Sequence, residues 1–291
     1  MPHLIRMIRA ANPSALTGPG TNTYLVGKGQ VTVIDPGPDL DSHLSAILST
    51  LSASERISHI LVTHAHLDHS ALTRRLVAAT GAEVLAFGPA TAGRSAAMTA
   101  LAAQGLTSSE GTDPDFVPTL RLGDSSHLSL GALQFQALHL PGHMGCHMGF
   151  ALGDVLFSGD HVMEWSTSLV SPPDGDMTDY MTSLRRLAAR TWSHMLPGHG
   201  PAVTDPAARL AFLLDHRLGR EAAILAALRD HGPATPATLA ARVYTDTARH
   251  LLPAATRNVL AHLIDLTARD LAKPDPFSGS NSLATTIFHA L

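Results

Sequence analysis

The segment "HILVTHAHLDHSALTRRLVAAT" (59–80) constrains the fold most, because four potential metal ligands stand between a predicted strand and a predicted helix. The apolar run "HILVT" predicts a short strand, and "SALTRRLVAAT" has the spacing of a helix. In extended backbone His64 and His66 point to the same side, so both can reach one metal ion. Asp68 and His69 follow at the turn, where adjacent side chains diverge, and they are placed to address a second ion.

Three more potential ligands stand at the carboxyl ends of predicted strands. They are His143 in "HLPGHMG", Asp160 in "LFSGDH" and His199 in "LPGHG". Each pattern alone is weak, but together they predict a convergent rim of ligands. Imidazole and carboxylate donors suit zinc, manganese or iron. Two ions about 3.5–4 Å apart also require a bridge, usually a carboxylate together with hydroxide.

Strand and helix patterns alternate over the first two hundred residues. "TNTYLVG" and "VTVID" predict a hairpin, and later strands such as "EVLAF", "LQFQALHL" and "MGFAL" surround a helical pattern at 179–190. This alternation predicts a layered α/β domain over residues 1–205. Three helical patterns and a C-terminal hairpin then predict a winged-helix-like domain over residues 206–291.

Composition excludes several classes of function. The net charge is −4, and no run of Lys or Arg indicates a strongly basic nucleic-acid surface. No apolar run reaches the ~20 residues of a membrane span, and the first twenty residues lack a secretory pattern. Cys146 is the single cysteine, which favours a reducing compartment. We therefore expect a cytoplasmic protein without a membrane partner.

Taken together, the ligand motifs resemble those of the metallo-β-lactamase superfamily, in which His-x-His-x-Asp-His is followed by a spaced His, an Asp and a last His. The resemblance covers about residues 15–205 and implies a four-layer αββα sandwich. It also implies two divalent metal ions, zinc in the first place and manganese or iron as alternatives. The resemblance assigns His64, His66 and His143 to the first ion, Asp68, His69 and His199 to the second, and Asp160 to a bridge between them.

Other segments extend the resemblance. Asp35 in "VIDPG" matches a buried aspartate of the family. The match implies that Asp35 supports the loop that contains residues 64–69, here called the ligand loop, from behind. "TGPGTNTYLVG", "DYMTSL" and "HRLGREAAIL" resemble a lactamase-like subgroup that carries a C-terminal winged helix. That subgroup is close to glyoxalase II and also contains ribonucleases.

Three functions stay open on these grounds. The first is a binuclear hydrolase in which hydroxide bridging the two metals attacks a small thioester or related ester. Asp68 would help to orient the nucleophile, and His161 is the nearest candidate for a general acid, although a packed or solvent-facing histidine is an equal alternative. The second is an endoribonuclease or other phosphodiesterase acting on single-stranded RNA presented by the winged helix. The third is a non-catalytic protein that binds a partner through the winged helix.

Details of the motif favour the first of these. The best-known lactamases of the family have Arg in place of His69 and Cys in place of Asp160, so β-lactamase activity is disfavoured. Only 38 residues separate Asp160 from His199, which leaves no room for the inserted domain of the large cleavage-factor nucleases. From residue 200 onward nine basic and eight acidic residues nearly balance, which weighs against strong phosphate binding. We expect a small-molecule substrate and leave the oligomeric state open, with a homodimer as one possibility.

Overall fold

The computed structural model describes residues 4–107, 111–275 and 283–291, and it contains two facing β-sheets. The first sheet has six strands in chain order, of which the first three are antiparallel and the later ones parallel. Its strands are β1 (Ile5–Arg9), β2 (Asn22–Val26), β3 (Gln30–Ile34), β4 (Arg56–Leu61), β5 (Glu83–Ala86) and β6 (Leu120–Arg121). The helices that connect its parallel strands are α1 (Asp41–Ser49), α2 (Leu67–Ser70), α3 (Thr73–Thr80) and α4 (Ala96–Ala103).

The second sheet has five strands in the order β11-β10-β9-β8-β7. These strands are β7 (His127–Leu130), β8 (Leu133–His139), β9 (Met148–Leu152), β10 (Val155–Gly159) and β11 (His194–Pro197). All neighbours are antiparallel except β10 and β11, which are parallel because helix α5 (Met177–Ala188) crosses over between them.

Alternating burial along the strands builds three apolar layers. In β4, Ile60 packs against the helices α1 and α3, whereas its neighbour Leu61 packs between the two sheets. In β9, Phe150 enters the same layer between the sheets, and Ala151 faces the opposite layer under α5. Because each sheet buries both faces, the four layers are helix, sheet, sheet and helix, as the sequence predicts.

The C-terminal part contains the predicted three helices and a two-stranded sheet. These are α6 (Pro206–His231), α7 (Pro236–Val243), α8 (Leu252–Ala268), β12 (Ala272–Pro274) and β13 (Phe288–Ala290). Asp205 caps α6 by accepting a hydrogen bond from the Ala208 amide, and a proline follows it at the first helical position. Leu210 and Leu213 of α6 pack into the layer under the second sheet, and Ile224 and Leu228 pack into the C-terminal core. A domain boundary after residue 205 stays a prediction.

Gly219 lies exposed in the middle of α6, where an added Cβ would meet nothing within 4 Å. Glycine inside a helix costs about 1 kcal/mol relative to alanine. Gly219→Ala is therefore expected to raise the free energy of unfolding by about 0.5–1 kcal/mol, measured as a higher midpoint in urea. An unchanged or lower midpoint would show that this helix turn is under other constraints.

The structure differs from the sequence predictions at several element ends. Strand β1 was not predicted, because charged Arg6 and Arg9 interrupt its short apolar run. The predicted helix after the ligand loop is broken into α2 and α3. None of the helices in the described ranges is both long and apolar enough to cross a membrane.

The strand ends place the ligand candidates along one edge. The parallel strands β3 and β4 are followed by Asp35 and by the ligand loop. The parallel strands β10 and β11 are followed by Asp160 and by the loop that contains His199. The Asn22 amide at the start of β2 donates to the Gly198 carbonyl at 2.7 Å. This bond joins the two sheets at the edge where the ligands meet.

Candidate metal centre

Three histidines form the first group of candidate ligands. His64 and His66 come from the loop after β4, and His143 comes from the loop between β8 and β9. His64 Nε2 lies 2.9 Å from His66 Nδ1, which in turn lies 3.1 Å from His143 Nε2. Each of the three residues offers one ligand atom, and these three atoms all lie within 4.8 Å of one another. Three imidazole nitrogens that face one point with their lone pairs form a typical zinc-type donor set.

The second group lies next to the first and contains Asp68, His69 and His199. His69 Nε2 lies 3.3 Å from His199 Nε2 and 3.4 Å from Asp68 Oδ2. His199 Nε2 lies 3.2 Å from the same Asp68 oxygen. Asp68 and His69 reach this group because α2 begins at Leu67 and turns their side chains away from the first histidines. The first turn of a helix also favours the Asp68 carboxylate.

Asp160 stands between the two groups. Its Oδ2 lies 3.2 Å from His199 Nε2 and 3.8 Å from His143 Nε2, so one carboxylate faces a histidine of each group. Its Oδ1 is buried and accepts no hydrogen bond within the described part of the chain, although His69 Nε2 lies 3.5 Å away. A buried carboxylate oxygen without a donor is costly. The position suits a bridging ligand whose oxygens are satisfied by cations.

The outer nitrogens of four histidines fix the direction of the inner ones. His69 Nδ1 faces Asp35 Oδ2 at 2.9 Å, and His143 Nδ1 faces the Leu169 carbonyl at 2.7 Å. His199 Nδ1 faces the Gly20 carbonyl at 3.4 Å. Since each outer partner is an acceptor, Nδ1 carries a proton that it donates outward, and Nε2 points inward. His64 follows the same rule through the Thr63 hydroxyl at 2.9 Å.

Asp35 supports the ligand loop from behind, in the place that the family resemblance implies. Its carboxylate accepts hydrogen bonds from the Thr63 amide at 2.7 Å, the Thr63 hydroxyl at 2.8 Å and the His69 ring. The residue has φ 51°, in the left-handed region that non-glycine residues adopt rarely. Three hydrogen bonds to one carboxylate offset that strain and fix the start and the end of the loop together.

Burial keeps the first group neutral. Burial, together with the nearby His143, lowers the pKa of His66 to about 3. The pKa values of His64 and His143 are also lowered, in both cases mainly by burial. These three rings therefore present free lone pairs across the physiological pH range.

In the second group, the two carboxylates determine the pKa values of the histidines. Burial alone would lower the pKa of His199, but Asp160 and Asp68 raise it to about 9. The same two carboxylates raise the pKa of His69 well above its usual value despite burial. In return the two histidines hold the pKa of each carboxyl below its usual range. The group thus stabilises positive charge at its centre, which a metal ion supplies when the protons leave.

Gly198 allows Asp160 and His69 to lie close to the backbone that precedes His199. A Cβ at this position would lie 2.5 Å from Asp160 Oδ1 and 2.5 Å from His69 Cε1. Both atoms belong to candidate ligands, so no side chain fits without displacing the second group. The glycine before His199 is therefore part of the site geometry.

Five of the seven candidate ligands line a cavity of about 300 Å³, namely His66, Asp68, His143, Asp160 and His199. The walls come from the loop before β2, the ligand loop and the loop after β10. The non-ligand lining residues of the described chain are Ser14, Ala15, Leu16, Thr17, Leu67, Gly111, Met163, Ser166, Thr167 and Leu169. None of them is charged. Leu16, Leu67 and the nearby Trp165 are exposed, which gives the rim an apolar character. A larger cavity of about 390 Å³ lies around Asp113 and Phe116 and contains none of the candidate ligands.

His161 does not reach this cavity. Its side chain is 0% exposed, and neither ring nitrogen has a hydrogen-bond partner in the described residues. Burial lowers its pKa to about 3, and the ring packs against Tyr180. Its role as a general acid stays a prediction that this position does not support. Cys146 is also buried, and burial raises its thiol pKa to about 11, so it is no ready nucleophile.

Several contacts that support the candidate ligands were not predicted from the sequence. Thr21 donates its hydroxyl hydrogen to Asp68 Oδ2 at 3.0 Å, and the quoted segment "TGPGTNTYLVG" contained it without a role. The carbonyl groups of Gly20 and Leu169 orient His199 and His143. Backbone acceptors have no residue signature, so no sequence signal points to them.

Two named proteins are similar to this chain in sequence. A beta-lactamase-like protein 2 homolog of Drosophila melanogaster is 30% identical over 274 residues, covering 89% of this chain and 86% of that protein. An atrochrysone carboxyl ACP thioesterase of Emericella nidulans is 31% identical, covering 77% of this chain and 64% of that protein.

Solved structures agree with the fold. A metallo-beta-lactamase family protein from Thermus thermophilus has a TM-score of 0.77 at 24% identity, covering 99% of this chain and 98% of that chain. A structure described as a di-iron-bound form has a TM-score of 0.52 at 30% identity, covering 73% of this chain and 97% of that chain.

Family models match both parts of the sequence. The metallo-beta-lactamase superfamily matches residues 16–199, and the beta-lactamase associated winged helix domain matches residues 235–276. The first match spans more than half of the chain and includes all seven candidate ligands. The protein therefore belongs to the metallo-beta-lactamase superfamily of hydrolases.

Proposed function

We propose that this protein is a binuclear metal-dependent hydrolase of small thioesters and related esters. The observation that carries the proposal is the position of Asp160, whose carboxylate faces a histidine of each ligand group. Its unpartnered buried oxygen fits a bridge between two cations. The similarity to a di-iron-bound structure supports two ions, and zinc, iron and manganese all suit the donors.

The candidate ligands and Thr21 have separate roles in the proposed reaction. The histidines of the first group would hold one ion and Asp68, His69 and His199 the other, with Asp160 between them. When bound, the ions supply Lewis acidity and lower the pKa of water. Asp68 would help to orient the attacking water, and its Oδ2 accepts a hydrogen bond from the Thr21 hydroxyl. Thr21 thereby holds Asp68 in one rotamer.

The cavity favours a leaving group that needs no proton. Within the described lining, the only titratable side chains are the candidate ligands themselves. His161, the acid candidate from the sequence, is buried away from the cavity. A thiolate leaves as a stable anion, whereas an amine or an alkoxide requires a general acid. Thioesters and activated esters therefore match the site better than amides do.

The uncharged walls favour a neutral, apolar acyl group. Leu16 is 56% exposed and Trp165 is 40% exposed at the rim, where they are available to contact a substrate. The relative from Emericella nidulans is named as a thioesterase, which supports the same bond type. An RNA backbone would instead require cationic side chains along the groove.

The C-terminal helices also weigh against an RNA substrate. Helix α8 buries seven side chains, and one of them, Ala261, packs into the layer under the second sheet. A helix that is packed against the catalytic domain on this face is not presented to a nucleic acid there. This packing favours the thioester alternative over the ribonuclease alternative.

The test is metal content and activity on the same purified sample. We expect about two equivalents of divalent metal per chain and turnover of an acyl thioester that chelation abolishes and added metal restores. Lactones and single-stranded RNA serve as alternative substrates. Cleavage of RNA with a steep salt dependence and no thioester turnover would overturn the proposal, and so would a stoichiometry of one.

A further inference from the structure

The loop that follows Asp160 connects the cavity to the C-terminal helices. Four of its residues line the cavity, namely Met163, Ser166, Thr167 and Leu169. The Leu169 carbonyl also accepts the hydrogen bond from His143 Nδ1 at 2.7 Å. The position of this loop, residues 163–171, therefore sets both the cavity wall and the orientation of one candidate ligand.

Side chains from α6 and α8 hold this loop by its backbone. Arg209 donates to the carbonyl groups of Met163 at 2.7 Å and Ser166 at 2.6 Å. Arg217 donates to the Ser168 carbonyl, and Asn258 Oδ1 accepts from the Val170 amide at 3.0 Å. The bonds to Ser168 and Val170 thus bracket Leu169 on both sides.

Arg217 is buried without an acidic partner. It is 1% exposed, no carboxylate lies within ion-pair distance among the described residues, and its guanidinium packs over the Tyr180 ring at 5.1 Å. Its hydrogen-bond acceptors are the Ser168 carbonyl and Asn258 Oδ1, the latter at 3.2 Å. A buried charge is costly, and hydrophobic packing alone would not require one. The arrangement instead provides a rigid donor fork for neutral acceptors.

Asn258 connects this charge to the loop. Its Oδ1 accepts from both Arg217 and the Val170 amide, so the side chain acts through one oxygen. Arg217 holds that oxygen in place, and the oxygen in turn holds the residue next to Leu169. The path from α8 to the metal centre is thus Asn258, Val170, Leu169 and His143.

We infer that Asn258, held by Arg217, is a positioning residue for the metal centre, and that the C-terminal helices form part of the active-site framework. The inference rests on the proposed function, because it concerns the orientation of a candidate ligand. Asn258 touches neither metal nor substrate and acts through the Leu169 carbonyl. Outer partners of metal-bound histidines change metal affinity by roughly 10–100-fold when they are removed.

A pair of substitutions at one position tests the inference. Asn258→Ala removes the acceptor, whereas Asn258→Asp keeps an oxygen at the same place. For Asn258→Ala we expect about tenfold weaker Co²⁺ binding, followed by absorption spectroscopy, and about fivefold faster amide exchange in the peptide containing Val170. Asn258→Asp should remain close to the unmodified protein in both measurements.

Arg269→Ala is the matched control, since Arg269 lies at the end of α8 and pairs with Glu221 and Asp265 away from the loop. It should leave exchange in the loop and Co²⁺ affinity unchanged. If Asn258→Ala matches the unmodified protein in both readouts, or if Asn258→Asp is as impaired as Asn258→Ala, the inference is wrong. Neither readout requires turnover, so a failed thioester assay would count against the proposed function alone.

Discussion

Asp160→Asn is expected to lower kcat/KM for an acyl thioester by about 10³-fold, which corresponds to about 4 kcal/mol of lost transition-state stabilisation. The substitution replaces a charged oxygen that faces His143 and His199 by an amide of the same shape. An amide is a poorer bridge between cations, so metal content per chain should fall as well. Steady-state kinetics and elemental analysis on the same sample measure both effects.

The control for this substitution is Asp215→Asn, the same chemical change on the exposed face of α6. It should leave kinetics and metal content unchanged. The thermal midpoint of Asp160→Asn should fall, because the substitution removes a carboxylate whose pKa His199 and His69 hold well below its usual range in the folded protein. Normal activity with normal metal content would show that Asp160 is not a bridging ligand.

Gly198→Ala is the second large effect that we expect. The added methyl group would come within 2.5 Å of Asp160 Oδ1 and of His69 Cε1, so one of these ligands must move. A displacement of about 1 Å costs roughly 10²-fold in rate. We expect a loss of that size in kcat/KM together with weaker metal binding in a titration.

The matched exchange is Gly219→Ala, because an added Cβ there meets no atom within 4 Å. That variant should keep full activity while gaining stability. The comparison separates the steric effect at the metal centre from any general effect of a glycine substitution. Full activity of Gly198→Ala would mean that the ligands tolerate a different arrangement.

Sequence patterns predicted the candidate site well because its ligands are side chains at strand ends. The alternation of His64 and His66 and the turn before His69 predicted two neighbouring groups, and the structure brings them together with His143, Asp160 and His199. The alternation of strand and helix patterns predicted a layered α/β domain, and the four-layer arrangement was implied by the family resemblance. Which ions these residues bind stays a prediction.

Other features had no pattern to reveal them. Leu169 acts through a carbonyl group, and Asn258 acts across 88 residues of sequence through one amide hydrogen bond. For His161 the sequence left a general acid in the cavity and a packed or solvent-facing histidine as equal alternatives, and in the structure a turn after β10 directs the ring into the protein interior. These contacts depend on tertiary packing between distant segments. The local spacing of residues in one sequence does not reveal such packing.

The 26-residue helix α6 has a consequence for how this protein loses its structure. Its first half contributes Leu210 and Leu213 to the packing beneath the second sheet, and its second half contributes Ile224 and Leu228 to the C-terminal core. Because one continuous helix is shared by both cores, melting of either core exposes apolar surface of the other. The two parts are therefore coupled in unfolding, and heat or denaturant should disrupt the catalytic layers and the winged helix in a single cooperative step.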